Sequence, residues 1–237
     1  MQMVNGPIGI ALTTVQELPG TAMLSSAEIE RARNLKVERR RQQYTCGRAL
    51  LRTLLQHHTG KPAASHRLTT SDSGKPICVD GPAVSIAHSG DLVLCALTDQ
   101  GDIGIDIEQV RERKNLSAIS SRYFAPDEVK WLMTQPDDRF YMLWVLKEAW
   151  LKTTGTGIAG GLDQLRCVVT PPDIDAQVTD DTVPALSLYA LNDMFIGVAS
   201  STTSHDNIEF YDWDPQSGRL AQSSGPDLVA TTNRPSG

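Results

Sequence analysis

The sequence predicts an α+β protein laid out as two successive halves. Three observations carry this: helix signals over residues 25–60, short β-like runs separated by turn residues from 76 to 110, and a return to helices and then strands beyond Pro126. The halves meet near residues 110–115, so the first half is taken as 1–112 and the second as 113–213. No sequence identity between them is visible, which leaves an internal duplication as a suspicion only.

Ser25 or Ser26 followed by Ala27-Glu28-Ile29 reads as a helix start, and two helices fill the stretch up to the stop at Gly60 with Pro62 beyond. Pro76 to Val79, Ala83 to Ala87, Leu92 to Thr98 and Ile103 to Val110 are strand-like and punctuated by Gly, Pro, Asp and Ser, the pattern of an antiparallel sheet. Pro126-Asp127-Glu128 suits a helix first turn, and Asp138 to Thr153 reads as a longer apolar helix. Gly155, Gly157, Gly160 and Gly161 end it. Strands are predicted again at Leu165 to Val169, Ala185 to Leu191, Met194 to Ser200 and Ile208 to Tyr211. Residues 214–237, rich in Ser, Gly, Pro, Gln and Thr, are predicted to be a disordered tail.

At 237 residues, 40% hydrophobic and 21% charged, the chain can bury a true core, which excludes a disordered chain or a fibre. No apolar window approaches membrane-spanning length, and the amino terminus lacks a basic start and a cleavage site, so a cytoplasmic protein with no membrane role is expected. Cys46, Cys78, Cys95 and Cys167 are far apart with no CxxC pair, so neither disulfides nor zinc are expected. A net charge of −6 argues against a nucleic-acid partner. Between Arg31 and Arg67, however, ten Lys and Arg residues face the single acid Glu38, the mark of an anionic partner or of a solvated helix face.

Three segments could carry chemistry. In Gly104-Ile105-Asp106-Ile107-Glu108 an extended backbone puts both carboxylates on one face, where a divalent cation such as Mg²⁺ would relieve their repulsion. A half-buried strand showing acids to solvent gives the same pattern. In the helix around Lys147, Trp144, Glu148 and Lys152 fall on one stripe, and Glu148 could complete a three-carboxylate site. An apolar helix around that stripe implies burial, which an exposed Glu-to-Lys pair would not need. Lys75 in Gly74-Lys75-Pro76, with His88 and Ser89 at a strand end, could donate to phosphates, although a turn lysine and a structural histidine read equally well. There is no phosphate loop, no dinucleotide-binding glycine fingerprint and no nucleophile elbow.

Taken in order, GKP, IAHSG, GIDIE, FAPDE and WVLKEAWLK resemble the Sfp-type 4′-phosphopantetheinyl transferases over roughly residues 25 to 165. The resemblance implies a pseudo-two-fold pair of similar α+β halves with the active site in the cleft between them. It implies transfer of the phosphopantetheine arm of coenzyme A to a serine of an acyl or peptidyl carrier protein, dependent on Mg²⁺ and releasing 3′,5′-ADP. Carried across by position, it makes Asp106, Glu108 and Glu148 the metal ligands and assigns Lys75, His88 and Ser89 to the adenine and phosphate end of coenzyme A. Lys152 matches the lysine on the pyrophosphate, and Glu128 matches a proposed base for the incoming serine. A first-turn acid interacting with the helix dipole is the other reading of Glu128.

Departures from the pattern stand at Ala87, Thr156 and Glu28. The last makes Arg31 the better contact for the 3′-phosphate, with Tyr44 or Thr45. A monomer suffices for this chemistry, and the basic Arg31 to Arg67 stretch is expected to steer the carrier, to bind coenzyme A, or both. The competing functions are a Mg²⁺-dependent phosphohydrolase and a non-catalytic module that binds carrier or coenzyme A.

Overall fold

The computed structural model describes residues 7–18, 20, 22–157, 161–179, 182–202 and 207–232. Gly160 and positions 233–237 of the expected tail lie outside them. The chain forms two compact units, Met1–Gln100 with Asn207–Gly225, and Gly101–Asp206 with Pro226–Gly237. The division therefore falls at residue 100 and not at 112. The cause is β6 (Ile103–Gln109), which pairs along its whole length with β10 (Met194–Ser200) and so belongs to the second unit.

The first unit holds α1 (Ser26–Arg33) and α2 (Glu38–Thr59), the two helices expected there. Ser25 caps α1 with a full capping box to Glu28, and α2 ends at Gly60 in the left-handed conformation (φ 70°). The sheet has the order β12-β11-β1-β5-β4, with β1 (Ile8–Thr14) central, parallel to β11 (Ile208–Asp214) and antiparallel to β5 (Leu92–Thr98). Its β4 is Ala83–Ser89 and its β12 Arg219–Ser223. The inner face of α2, Ala49, Leu50, Leu51, Leu54 and Leu55, is fully buried in one apolar cluster with Val93, Cys95 and Leu97 of β5. A small hairpin, β2 (Leu68–Thr70) and β3 (Pro76–Cys78), completes the unit.

The second unit packs α5 (Asp138–Thr154) on a sheet of order β6-β10-β9-β13-β8-β7. Its remaining strands are β7 (Leu165–Thr170), β8 (Asp173–Val178), β9 (Ala185–Leu191) and β13 (Asp227–Thr231), and two short helices, α3 (Leu116–Tyr123) and α4 (Pro126–Leu132), precede α5. The expected disordered tail is thus corrected over its described part: β12 pairs with β11 from Phe210↔Ser223 to Asp214↔Arg219, and β13 pairs with β9. Backbone pairing to existing sheet edges orders a stretch whose composition alone is too polar to form a core. No helix among the described residues is long and apolar enough to cross a membrane. All four cysteines are buried free thiols.

Candidate functional site

In the second unit the pleat of β6 does what its alternation requires: Ile103, Ile105 and Ile107 are buried, while Asp106 and Glu108 are half-buried on the opposite face. Gly104 shares that face, and a Cβ there would overlap the carbonyl of Ala149 on α5. Gly197 of β10 lies directly across the ladder from Asp106, and a Cβ there would overlap the carbonyl of Val145. Two glycines therefore let α5 settle onto the sheet at backbone contact distance, on the carboxylate side. Neither was singled out from the sequence as a seat, because closeness of this kind depends on which face the helix covers. Gly197→Ala should push α5 off the sheet, cost on the order of 1–3 kcal/mol, and lower the melting temperature in a thermal scan.

This seating delivers two residues of α5 to the acids. Lys152 donates from Nζ to Asp106 Oδ1 at 2.8 Å and to the carbonyl of Ile105 at 2.9 Å. Glu148 is pushed up to about 7, first by burial and then by the negative charges of Asp106 and Glu108, against a lowering effect of Lys152. Asp106, Glu108, Glu148 and Lys152 thus share one electrostatic neighbourhood. Among the described residues no three acid, His or Cys side chains already stand as a metal-holding cluster. The donor chemistry nonetheless suits a hard cation: Asp106, Glu108 and Glu148 all offer hard carboxylate oxygens, and Mg²⁺ usually keeps several waters beside one or two protein carboxylates.

Glu128 is elsewhere in its chemistry. It is 2% exposed, and its Oε2 accepts from the backbone of Ala125 and from Lys147 Nζ, both at 2.9 Å. Its Oε1 accepts from the backbone of Cys167 at 2.9 Å and lies 2.8 Å from Lys147 Nζ. Lys147, fully buried, also donates to the carbonyls of Leu162 and Leu165. Both Glu128 oxygens are thus engaged in a dry ion pair that ties α4, α5 and β7 together, an arrangement that favours a scaffold role over the expected catalytic base.

The first unit contains the same device. Glu28, third residue of α1, accepts from Ser25 and from Arg52 Nε at 2.9 Å, and Arg52 Nη1 donates to the carbonyls of Ala63 and His66, each at 3.0 Å. Short-helix glutamate, long-helix cation and two carbonyls three residues apart recur in both units. The acid at position 28, a departure from the sequence pattern, is explained by this role.

The first unit also holds a pocket of about 460 Å³ whose wall includes Arg31, Arg40, Tyr44, Arg48, Gly74 and His88. The guanidinium carbons of Arg31 and Arg48 lie 5.7 and 5.5 Å from the Tyr44 ring centroid. Among the described residues no Asp or Glu lines this pocket, so it favours anions. Of the expected residues, Arg31 and His88 line it, and Lys75 sits between the lining residues Gly74 and Pro76 in the turn of the β2–β3 hairpin. Ser89 is buried on the other face of β4 from His88, and Thr45 donates its hydroxyl to the helix carbonyl of Arg41. Thr156 bonds the hydroxyl of Thr154. Arg48, only 6% exposed, was missed by sequence reasoning, because inside a basic amphipathic helix nothing distinguishes a pocket-lining arginine from a solvated one.

Comparison with known proteins matches residues 102–189 to the family model described as the 4′-phosphopantetheinyl transferase superfamily, and residues 29–98 to the 4′-phosphopantetheinyl transferase N-terminal domain. The two matches part where the two compact units part. The 4′-phosphopantetheinyl transferase HetI of a Nostoc species is 34% identical over 78% of this chain and 79% of its own length. The enzyme psf-1 of Bacillus pumilus is 36% identical over 49% of this chain and 51% of its own, and Sfp of Bacillus subtilis is 35% identical over 49% and 54%.

Proposed function

Because the chain belongs to the 4′-phosphopantetheinyl transferase superfamily and transfers phosphopantetheine from coenzyme A to carrier proteins, we propose that Asp106, Glu108 and Glu148 hold the Mg²⁺ for that reaction and that Lys152 faces the pyrophosphate. The observation that carries this is the Glu148 carboxyl, pushed up to about 7 by burial and by the Asp106 and Glu108 charges, a repulsion that a divalent cation would relieve. When bound, the ion supplies Lewis-acid polarisation of the pyrophosphate.

The carrier serine oxygen attacks the phosphorus that bears the pantetheine arm. The bond from that phosphorus to the bridging oxygen breaks, and 3′,5′-ADP leaves with the electron pair. Lys152, fixed by Asp106 and the Ile105 carbonyl, places an ammonium where this charge develops. With Glu128 committed elsewhere, the serine proton passes to solvent water, and the chain acts through charge neutralisation and positioning.

The basic pocket of the first unit takes the nucleotide end of coenzyme A, with Arg31, Arg48 and His88 meeting phosphate oxygens and Tyr44 offering a ring face. Arg48→Gln should raise KM for coenzyme A roughly tenfold or more and hardly change KM for dephospho-coenzyme A, as a loss of one charge-assisted contact requires. Steady-state kinetics with the two substrates checks this.

A pH dependence follows from Glu148. Its folded-state carboxyl is raised, so it is protonated below about 7 and ionised above. Metal binding needs the carboxylate, so the Mg²⁺ concentration for half-maximal rate should rise as pH falls through about 7. Ionising the buried acid opposes folding above its ordinary range, so Glu148→Gln should stabilise the metal-free protein at pH 8 and leave it unchanged at pH 4.

The function is tested by incubating the chain with coenzyme A, Mg²⁺ and apo-carriers and reading intact mass. A gain of one phosphopantetheine on the carrier is expected. Phosphate release without that gain would favour a phosphohydrolase, and neither would favour a binding module.

A further inference from the structure

The start of α2 breaks the rules that the start of α1 obeys. Ser25 and Glu28 cap α1, and its Arg31 and Arg33 stand in the last turn, where the helix dipole favours cations. At α2 the N-cap is Val37, with no side-chain hydrogen bond, and the next residues are Glu38, Arg39, Arg40 and Arg41. Valine is a poor cap, and arginines at the positive end of a 22-residue helix oppose its dipole. Val37 is 60% exposed, one of few large apolar side chains left in water. An exposed, uncapped valine at a helix start is a local rule broken, and such departures mark a surface kept for another purpose.

The charges there are unevenly spent. Arg39 pairs with Asp91 at 2.7 Å and Arg41 with Glu38. Exposed Arg33, Lys36 and Arg40 pair with no carboxylate among the described residues. The patch is continuous with the basic pocket, since Leu35 and Arg40, on either side of Lys36 and Val37, line it.

We propose that exposed Val37, together with the exposed cations Arg33, Lys36 and Arg40 on either side of it in the chain, is a docking surface for the acidic face of the carrier protein. This rests on the transferase reading above. The chain carries a net charge of −6, so an acidic partner is repelled on average and needs a local cationic landing site. Val37 supplies the dry centre and the cations the polar rim of a small transient interface.

Val37→Asp separates docking from folding, because aspartate is a good N-cap and its charge suits the dipole. With an acidic apo acyl carrier protein at low salt, Val37→Asp should raise the carrier KM at least tenfold, leave the coenzyme A KM unchanged, and raise the melting temperature by a few degrees. Lys36→Glu should raise the carrier KM and flatten its salt dependence. An unchanged carrier KM in both variants overturns the surface while the transferase reading stands. A coenzyme A KM rising in step with the carrier KM overturns it also, assigning the patch to the coenzyme. If Val37→Asp lowers the melting temperature, Lys36→Glu decides alone. No transfer by the unaltered chain to any apo-carrier overturns the transferase reading and the surface together.

Discussion

Asp106→Ala should reduce transfer by on the order of 10²- to 10³-fold or more at saturating Mg²⁺, with the protein still folded. The size follows from what the one carboxylate does. It anchors Lys152 at 2.8 Å, stands on the face beneath α5, and contributes to the charge that Glu148 feels. Its removal leaves Lys152 with the Ile105 carbonyl as its remaining anchor and, under the proposed metal role, deletes a donor as well. It also lifts one source of repulsion, so the Glu148 carboxyl should fall back toward the ordinary carboxylate range and the acid limb of any residual activity should move to lower pH. A rate assay across pH on the purified variant reads both effects.

The largest effect on stability is expected at Lys147. Lys147→Met leaves Glu128 charged, buried and without its cation, a change worth about 3–5 kcal/mol by the usual cost of breaking a buried pair. Denaturant titration should show the loss as a lower midpoint. Replacing both partners, Lys147→Met with Glu128→Leu, should recover much of it, since an apolar pair does not leave a charge in a dry interior. The double variant also tests chemistry. A base contributes roughly 10²- to 10⁴-fold, so transfer within tenfold of the unaltered protein at low temperature would show that Glu128 acts in the scaffold.

How far the sequence reveals this molecule depends on where the information lies. Both long helices, the strands at 76–110 and the strands at 185–200 are legible because each buries one face, and burial leaves a period in the chain. The carboxylates of β6 are legible for the same reason, alternating with isoleucines that had to point inward. The strands of the tail are not legible, because β12 and β13 are ordered by sheet edges supplied by distant β11 and β9. The division at residue 100 is hidden likewise, since β6 follows the first-unit strands in sequence and pairs instead with β10.

Side-chain roles divide in the same way. Glu128 carries both a helix-start signature and a motif, and its pairing with Lys147, nineteen residues on, leaves no local mark in the chain. Arg48 and Gly197 look ordinary in sequence. One becomes part of a pocket wall and the other a seat for α5 through partners far along the chain.

In the proposed site the acids of β6 and α5 hold one divalent ion together. Calorimetric titration of the protein with Mg²⁺ in the presence of coenzyme A, in two buffers of different ionisation enthalpy at pH 6.5, tests it most directly. Binding should be accompanied by proton release from Glu148, and both should be lost in Asp106→Asn and Glu148→Gln. Binding of unchanged affinity in those two variants would contradict it.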